Sequence, residues 1–322
     1  MTKSRLFVFP WELKKAGILS MNGRNYGVIA QHNKRRLFPL VDDKVQTKER
    51  ANAVGIQTPK LIASISVQYE VKEFLSRVSD YKSFVIKPAH GSGGKGVLVI
   101  QSYTKNYFKT ASGRVLKYRE VYQHISNILS GLYSLGGRYD TALFEEMVCF
   151  STVFENYSFQ GVPDVRIIVY EGYPAMAMMR LATKESGGRA NLHQGAVGVG
   201  LDIRTGKAIS AVQHNKPIQY HPDTKADLMS LQVPFWHEHL LMASKGYDMT
   251  GLGYLGADIV LDKNKGPMVL ELNARPGLAI QIANQKGLLL ALKNIDKIRS
   301  EMPKNTRLSA EERVKIILES EF

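Results

Sequence analysis

Apolar and polar positions along this chain switch between two periods, and the switches mark its elements. Ser83-Phe84-Val85-Ile86-Lys87 alternates as a strand does and is closed by Pro88, which cannot donate to a ladder. Val97–Gln101, Leu143–Val148, Asp164–Tyr170 and Ala175–Ala182 also read as strands, the last two around a turn at Glu171-Gly172. Helices are predicted over 47–54, ended by Gly55 with Pro59 beyond, and over 117–132, 224–245 and 278–297. Ser309 with Glu312 three residues later is a capping box that opens a short C-terminal helix. Residues 1–40 mix short apolar runs with basic residues and show no period, and a glycine-studded stretch over 183–200 reads as loop. Irregular alternation of strands and helices, with hairpins present, predicts an α+β class rather than a doubly wound parallel sheet.

Composition narrows the function. With 322 residues and 44% hydrophobic content the chain can bury a core, which excludes disorder. Lys and Arg number 43 against 29 Asp and Glu, a net charge of +14 that favours anionic partners or serves solubility. The surplus is scattered, Lys34-Arg35-Arg36 being the densest group, and no nucleic-acid motif is visible. The single cysteine, Cys149, sits in an apolar run; it cannot form an internal disulfide and is expected to be buried and inert. No apolar stretch reaches the roughly 18 residues of a membrane span and no signal-peptide core is visible, so a cytoplasmic location is expected.

The sharpest local chemistry is Asp258 with Glu271 and Asn273. If Lys263–Gly266 form a four-residue turn, Asp262 faces Pro267, and pairing backward sets Asp258 opposite Glu271. Glu271 and Asn273, two apart, then share a face with Asp258, while Ile259, Leu261, Leu270 and Leu272 form the core face. Facing carboxylates repel unless a positive charge lies between them, and two carboxylates with an amide suit magnesium, or manganese, held jointly with phosphates. An acidic pair balanced by lysine or arginine is the competing reading. A second motif, His90-Gly91-Ser92-Gly93-Gly94-Lys95-Gly96, lies between two strands. It lacks the Gly-Lys-Ser/Thr ending and following helix of a P-loop, and reads as a flap whose amides turn toward phosphate, or as an ordinary glycine-rich hairpin loop. Lys87 stands just before it, where a lysine can reach a phosphate.

In this order the motifs resemble the ATP-grasp superfamily, in particular the glutamate ligases that act on a ribosomal protein and the α-L-glutamate ligase-like proteins. Lys44 in Asp-Asp-Lys resembles the first ATP lysine, Lys87 in Val-Ile-Lys-Pro the second, and Gly91–Gly96 the flap. Leu143-Phe144-Glu145-Glu146-Met147-Val148 is similar to the strand that receives adenine. Asp164-Val165-Arg166, Arg180, Arg189-Ala190-Asn191-Leu192-His193-Gln194-Gly195 and Glu271-Leu272-Asn273-Ala274-Arg275-Pro276-Gly277 follow in family order. The chain departs from the family in its short region before Lys44, in the stretch 102–140, and in Arg275, where glutamate ligases carry a small residue.

The resemblance implies an ATP-grasp fold, two α/β lobes clasping ATP, with a shortened N-terminal region and an insertion. Its expected divisions are a short region over 1–40, an N-terminal lobe over 41–140 including the insertion 102–140, a C-terminal lobe over 141–300 and a helical tail over 301–322. It implies a magnesium-dependent carboxylate–amine ligase that forms an acyl phosphate and then an amide, with glutamate or a related amino acid and an acidic peptide or protein as partners. A homo-oligomer is compatible with it. Lys44, Lys87, Gly91, Ser92, Gly93, Gly94, Lys95, Gly96, Glu145, Glu146, Met147, Val148 and Asp164 would hold the nucleotide. Asp258, Glu271 and Asn273 would hold the metal. Arg180, Arg275 and Asn191 would act in catalysis, and Arg166, Arg189, Asn191, His193 and Arg275 would bind substrate. The alternatives are an ATP-grasp kinase acting on a hydroxyl and a non-catalytic nucleotide- or anion-binding protein.

Overall fold

The structure, a computed structural model, describes residues 8–91, 93–134, 136–303 and 306–320. The chain folds as two compact units: Pro39–Ala53 with Thr58–Cys149 form the smaller, and the chain up to Phe38, Val54–Gln57 and the chain from Phe150 form the larger.

The smaller unit is built on strands β1 (Leu61–Ile65), β2 (Phe84–Pro88), β3 (Leu98–Tyr103), β4 (Tyr107–Thr110), β5 (Val115–Lys117) and β6 (Ala142–Glu146). They form an antiparallel sheet in the order β1-β6-β2-β3-β4-β5. Along β2, Phe84, Ile86 and Pro88 are buried and Val85 and Lys87 are less so, the alternation of a strand with one covered face. The stretch 102–140, expected as an insertion, is integral to this unit. It supplies β4, β5 and helix Tyr118–Leu129, and its Phe108, Val121, Ile125 and Ile128 lie in one core with Phe74, Phe84, Ile100 and Phe144. Helix Lys44–Ala53 starts ahead of its expected position because the Asp43 carboxylate accepts the Val45 N–H at 2.9 Å and caps it.

The larger unit carries β7 (Asp164–Tyr170), β8 (Tyr173–Leu181), β9 (Val197–Leu201), β10 (Ala208–Gln213), β11 (Lys216–Pro217), β12 (Tyr254–Asp262) and β13 (Gly266–Asn273). These pair antiparallel in the order β11-β10-β9-β8-β7-β12-β13. Helix Trp236–Thr250 packs on the face carrying Leu255 and Leu272, and helix Ala279–Asn284 packs on the other. β9 emerges from the stretch expected to be loop. Its Gly200 is not a turn residue: a Cβ there would lie 2.5 Å from the Ala283 carbonyl oxygen, so the glycine lets the helix backbone approach the sheet.

Two helices differ from expectation. The one expected over 224–245 begins only at Trp236, because Pro234 has no N–H to give and Phe235 sits at φ +53°. The one expected over 278–297 is two, Ala279–Asn284 and Leu288–Glu301, broken where Gln285 adopts φ +49°. The C-terminal helix opens at the expected capping box: Ser309 N–H donates to Glu312 Oε2 at 2.8 Å and Glu312 N–H to Ser309 Oγ at 3.2 Å.

The stretch up to Phe38, which shows no period in its sequence, is part of the larger unit and is tied into it by two side-chain amides. Asn33 donates to the carbonyls of Tyr254 (2.7 Å) and Ala274 (3.1 Å) and accepts from Tyr254 N–H at 2.8 Å. Gln281 accepts Leu19 N–H at 2.8 Å and donates to Leu19 O at 3.0 Å. Each amide thus satisfies buried backbone groups of a distant segment, while the stretch itself forms short helices at Pro10–Lys15, Gly23–Ile29, Ala30–His32 and Arg35–Leu37. Cys149 is exposed, contrary to the buried thiol expected. Among the described residues no helix is long and apolar enough to cross a membrane.

Candidate active site

The hairpin of β12 and β13 sets Asp258 opposite Glu271, as expected, but by a different route. The turn is one residue shorter: Asp262 pairs with Gly266 and Leu261 with Pro267. A bulge between Ile259 and Asp258 then leaves Leu270 unpaired and restores the register. Leu270 is accordingly half-buried, whereas Ile259, Leu261 and Leu272 are buried in the core as anticipated.

Register across the neighbouring strands extends this pair into a row. Asp258 on β12 also pairs with Arg166 on β7, and Asp164, two residues before Arg166, pairs with Arg180 on β8. Directly opposed residues share a face, so Glu271, Asp258, Arg166, Asp164 and Arg180 all lie on one side of four adjacent strands. Arg166 grips Asp258 with both prongs, Nε to Oδ1 at 2.7 Å and Nη2 to Oδ2 at 2.6 Å. Arg180 reaches Asp258 Oδ2 through Nη2 at 2.8 Å and holds Asp164 through Nε at 2.5 Å and Nη2 at 2.7 Å. The side chains of these four residues are only 10–14% exposed, so the pairs are poorly screened.

Burial alone would raise both aspartates. The Arg180 and Arg166 guanidiniums outweigh it at Asp258, whose carboxyl is held well below the usual range. Asp164 has one arginine and the charge of Asp258 beside it, and burial pushes its carboxyl upward. Facing carboxylates call for a positive charge between them, supplied by a metal ion or by lysine or arginine. In the structure two guanidiniums supply it to Asp258 directly.

The donor set nevertheless fits a hard cation. An ionised carboxylate offers about four lone-pair sites. Asp258 Oδ2 has both of its own occupied by arginine, while Oδ1 takes a single hydrogen bond and keeps one. Glu271 and Asn273 are half-buried on the next strand, and the Asn273 side-chain oxygen accepts the Arg275 N–H at 2.8 Å. Among the described residues no group of three or more His, Cys, Asp or Glu could form a metal cage. Two carboxylates and an amide therefore suit an ion that takes its remaining oxygens from elsewhere, as magnesium does.

The smaller unit holds a second charged cluster, with two lysines on one carboxylate. Glu145 on β6 is buried, and its Oε1 lies 2.7 Å from Lys87 Nζ on β2 and 3.0 Å from Lys48 Nζ. Lys87 is therefore not a solvated lysine; its side chain is 12% exposed. Lys48 also donates to the Pro59 carbonyl at 2.5 Å. Burial is the main cause that lowers Lys48 to about 8, with Glu145 opposing it and Lys87 adding to it. Sequence reasoning missed Lys48, although it stands one helical turn after Lys44 and so shares its face. Lys44 donates to the carbonyls of Ala89 (3.2 Å) and Gly91 (2.8 Å), which ties it to the start of the glycine loop.

That loop joins antiparallel β2 and β3 and is pinned at both ends. His90 N–H and Nδ1 both bond the Asp140 carboxylate, at 3.0 and 2.8 Å. Burial would raise Asp140, but bonds from Ser134, His90 and Thr141 hold it below its usual value. Gly96 at φ +76° accepts His124 Nε2 on its carbonyl at 2.9 Å, and a Cβ there would strike the Tyr133 ring. Gly93, Gly94 and Lys95 are exposed between these anchors, and Ser92 lies outside the described residues. At the end of β6, Glu146 N–H bonds the Lys60 carbonyl at 2.9 Å, and Met147 and Val148 follow half-buried.

The remaining substrate candidates belong to the larger unit. Asn191 accepts His193 N–H at 3.1 Å, which shapes the loop, and Arg189 and His193 are exposed on it. Leu192 of that loop packs over Gly198, the β9 partner of Arg180, so the loop borders the charged row. Arg275 is exposed, with its guanidinium 4.8 Å from the Phe38 ring centroid.

A family model described as sugar-transfer associated ATP-grasp matches residues 23–297. No curated protein matches the sequence. Among solved structures, the chain is similar to the ATP-grasp ligase PsnB complexed with a minimal precursor, at 13% identity and TM-score 0.44, over 84% of this chain and 63% of that one. It is similar to the D-cycloserine synthetase DcsG at 15% identity and TM-score 0.43, over 82% and 72%. A Chryseobacterium gregarium RiPP-associated ATP-grasp ligase, in complex with ADP and a leader and core peptide, gives 13% identity and TM-score 0.45 over 86% and 65%. The chain spans less than two thirds of the length of the first and last of these.

Proposed function

The chain belongs to the sugar-transfer associated ATP-grasp family, and from that premise we propose that it is an ATP- and magnesium-dependent carboxylate–amine ligase. The observation that carries this reading is the charged row: carboxylates with a spare oxygen site stand beside arginine forks of the kind that recognise carboxylate and phosphate groups. Magnesium, when bound, would neutralise phosphate charge and polarise the transferred group, with Asp258, Glu271 and Asn273 as its holders.

The protein's own residues supply the rest. Lys44, Lys87 and the loop Gly91–Gly96 hold phosphate oxygens, and the backbone from Glu146 to Val148 bonds adenine. A substrate carboxylate oxygen attacks the γ-phosphorus, the bond to ADP breaks, and an acyl phosphate forms. An amine then attacks the acyl carbon, phosphate leaves, and the amine gives up a proton as the amide forms. Arg180 offsets charge on the phosphoryl group, and Asp164, which holds it by two bonds, positions it. Arg166, Arg189, Asn191, His193 and Arg275 are the substrate candidates, in or beside the row. The family's association with sugar transfer makes a saccharide bearing a carboxylate or an amine a substrate class to test beside glutamate and acidic peptides.

The test is a product analysis over those classes. The reading requires ADP and inorganic phosphate in equal amounts, with an amide product dependent on both substrates. AMP and pyrophosphate, or phosphate retained on a substrate hydroxyl, would replace it with an adenylating enzyme or a kinase.

A further inference from the structure

Helix Pro10–Lys15 buries none of its residues. Around it Val8, Phe9, Trp11 and Leu13 are 56, 51, 64 and 42% exposed, and the Phe9 and Trp11 rings stack on each other at 4.3 Å. The other tryptophan, Trp236, is 8% exposed and donates its indole N–H to Ile203 O at 2.9 Å. An aromatic pair left bare in this way is unusual, because Trp and Phe bring large apolar area to whatever they cover.

The segment is anchored, not loose. Directly after it Gly17 O accepts Leu289 N–H at 2.9 Å, and Leu19 is bracketed by Gln281. Its charges are one-sided. The single acid, Glu12, is taken up by the helix cap, where it accepts Phe9 N–H at 2.9 Å. Lys14 and Lys15 are exposed in the last turn, and the sequence places Lys3 and Arg5 just ahead of the apolar run.

We infer that this segment is an interfacial anchor that sits in an anionic lipid surface. Aromatic residues flanked by lysine and arginine match the chemistry of the membrane–water boundary, where rings enter the headgroup layer and cations meet lipid phosphates. A protein groove is the poorer match. Helix-in-groove recognition reads anchors through i+7, and this helix has six residues, with Phe9, Trp11 and Leu13 not forming one stripe. The net charge of +14 adds long-range attraction to the same surface. The inference goes beyond the proposed ligase activity and does not depend on it.

The test mixes the full chain with phosphatidylcholine vesicles, or with mixed phosphatidylcholine–phosphatidylglycerol vesicles, at low salt. The protein should sediment with the anionic vesicles, and its tryptophan emission should shift to the blue as Trp11 leaves water. Trp11→Ala should abolish the shift and weaken binding by about fivefold or more. Lys14→Glu with Lys15→Glu should weaken it by about tenfold or more. Wild-type protein that stays in the supernatant with both vesicles overturns the inference and leaves the patch to a protein partner. Binding that Trp11→Ala does not change overturns it too, since the attraction would then come from diffuse surface charge.

Discussion

Each unit buries a charged cluster, and the two are held together in different ways. In the larger unit Arg166 and Arg180 grip Asp258 and Asp164, while in the smaller Lys48 and Lys87 share Glu145. The arginine row is stitched by bidentate bonds that fix its geometry, whereas the lysines meet one carboxylate oxygen as point charges. In the larger unit a carboxylate row with an open oxygen site suits a cation. In the smaller, two lysines on one carboxylate beside a glycine loop suit phosphate.

Removing a carboxylate from the middle of the row should have the largest effect. Asp258→Asn leaves Arg166 without its fork partner in a site that water hardly reaches. Loss of one member of a buried pair costs about 3–5 kcal/mol, read as a lower denaturation midpoint, with turnover reduced more than about 100-fold. The simple picture of two facing carboxylates would instead have Asp258→Asn stabilise the ligand-free protein. An unchanged or raised midpoint would restore that picture.

Lys48→Met should act more mildly and in the opposite direction. Lys48 sits at about 8 in the folded protein against 10.5 in the unfolded chain. Between those values the unfolded chain binds more protons, so wild-type stability should rise with pH from about 8 toward 10.5, by at most about 3 kcal/mol. Below pH 8 both states are protonated and the burial penalty is constant. Lys48→Met should flatten the rise and leave Lys87 and Glu145 as a one-to-one pair. Denaturant titrations of both proteins across this window check it, and a rise of equal size in the variant would place its source elsewhere.

The two clusters were unequally legible in the sequence. Strand alternation and hairpin pairing set Asp258 opposite Glu271, although the assumed turn was one residue too long and an unforeseen bulge at Leu270 compensated. The arginines were named from resemblance, but their grip on the aspartates was not foreseen, since cross-strand register over four strands cannot be counted from one turn. Lys48 was missed because a lysine within a helix reads as a solvated one; burial against Glu145 comes from packing between distant segments. The region before Lys44 failed for a different reason: its helical turns are short, a π-helix over Gly23–Ile29 among them, so no sustained 3.6-residue period runs through it. The helix expected over 224–245 starts only at Trp236, and Pro234 is the signal in the sequence that marks the boundary.

Glu271→Gln tests the central claim most directly, because it removes a proposed metal ligand and leaves the bonds of Arg166 and Arg180 to Asp258 and Asp164 in place. Glutamine keeps the size and one acceptor oxygen, and it relieves repulsion with Asp258 across the hairpin, so the ligand-free variant should be as stable as wild type or slightly more so. Turnover should fall more than about 100-fold, and the magnesium dependence of nucleotide binding, measured by titration with and without the ion, should largely disappear. A Glu271→Gln protein with near-normal turnover and an intact magnesium dependence would contradict the assignment of this row as the metal site, and with it the mechanism proposed for the protein.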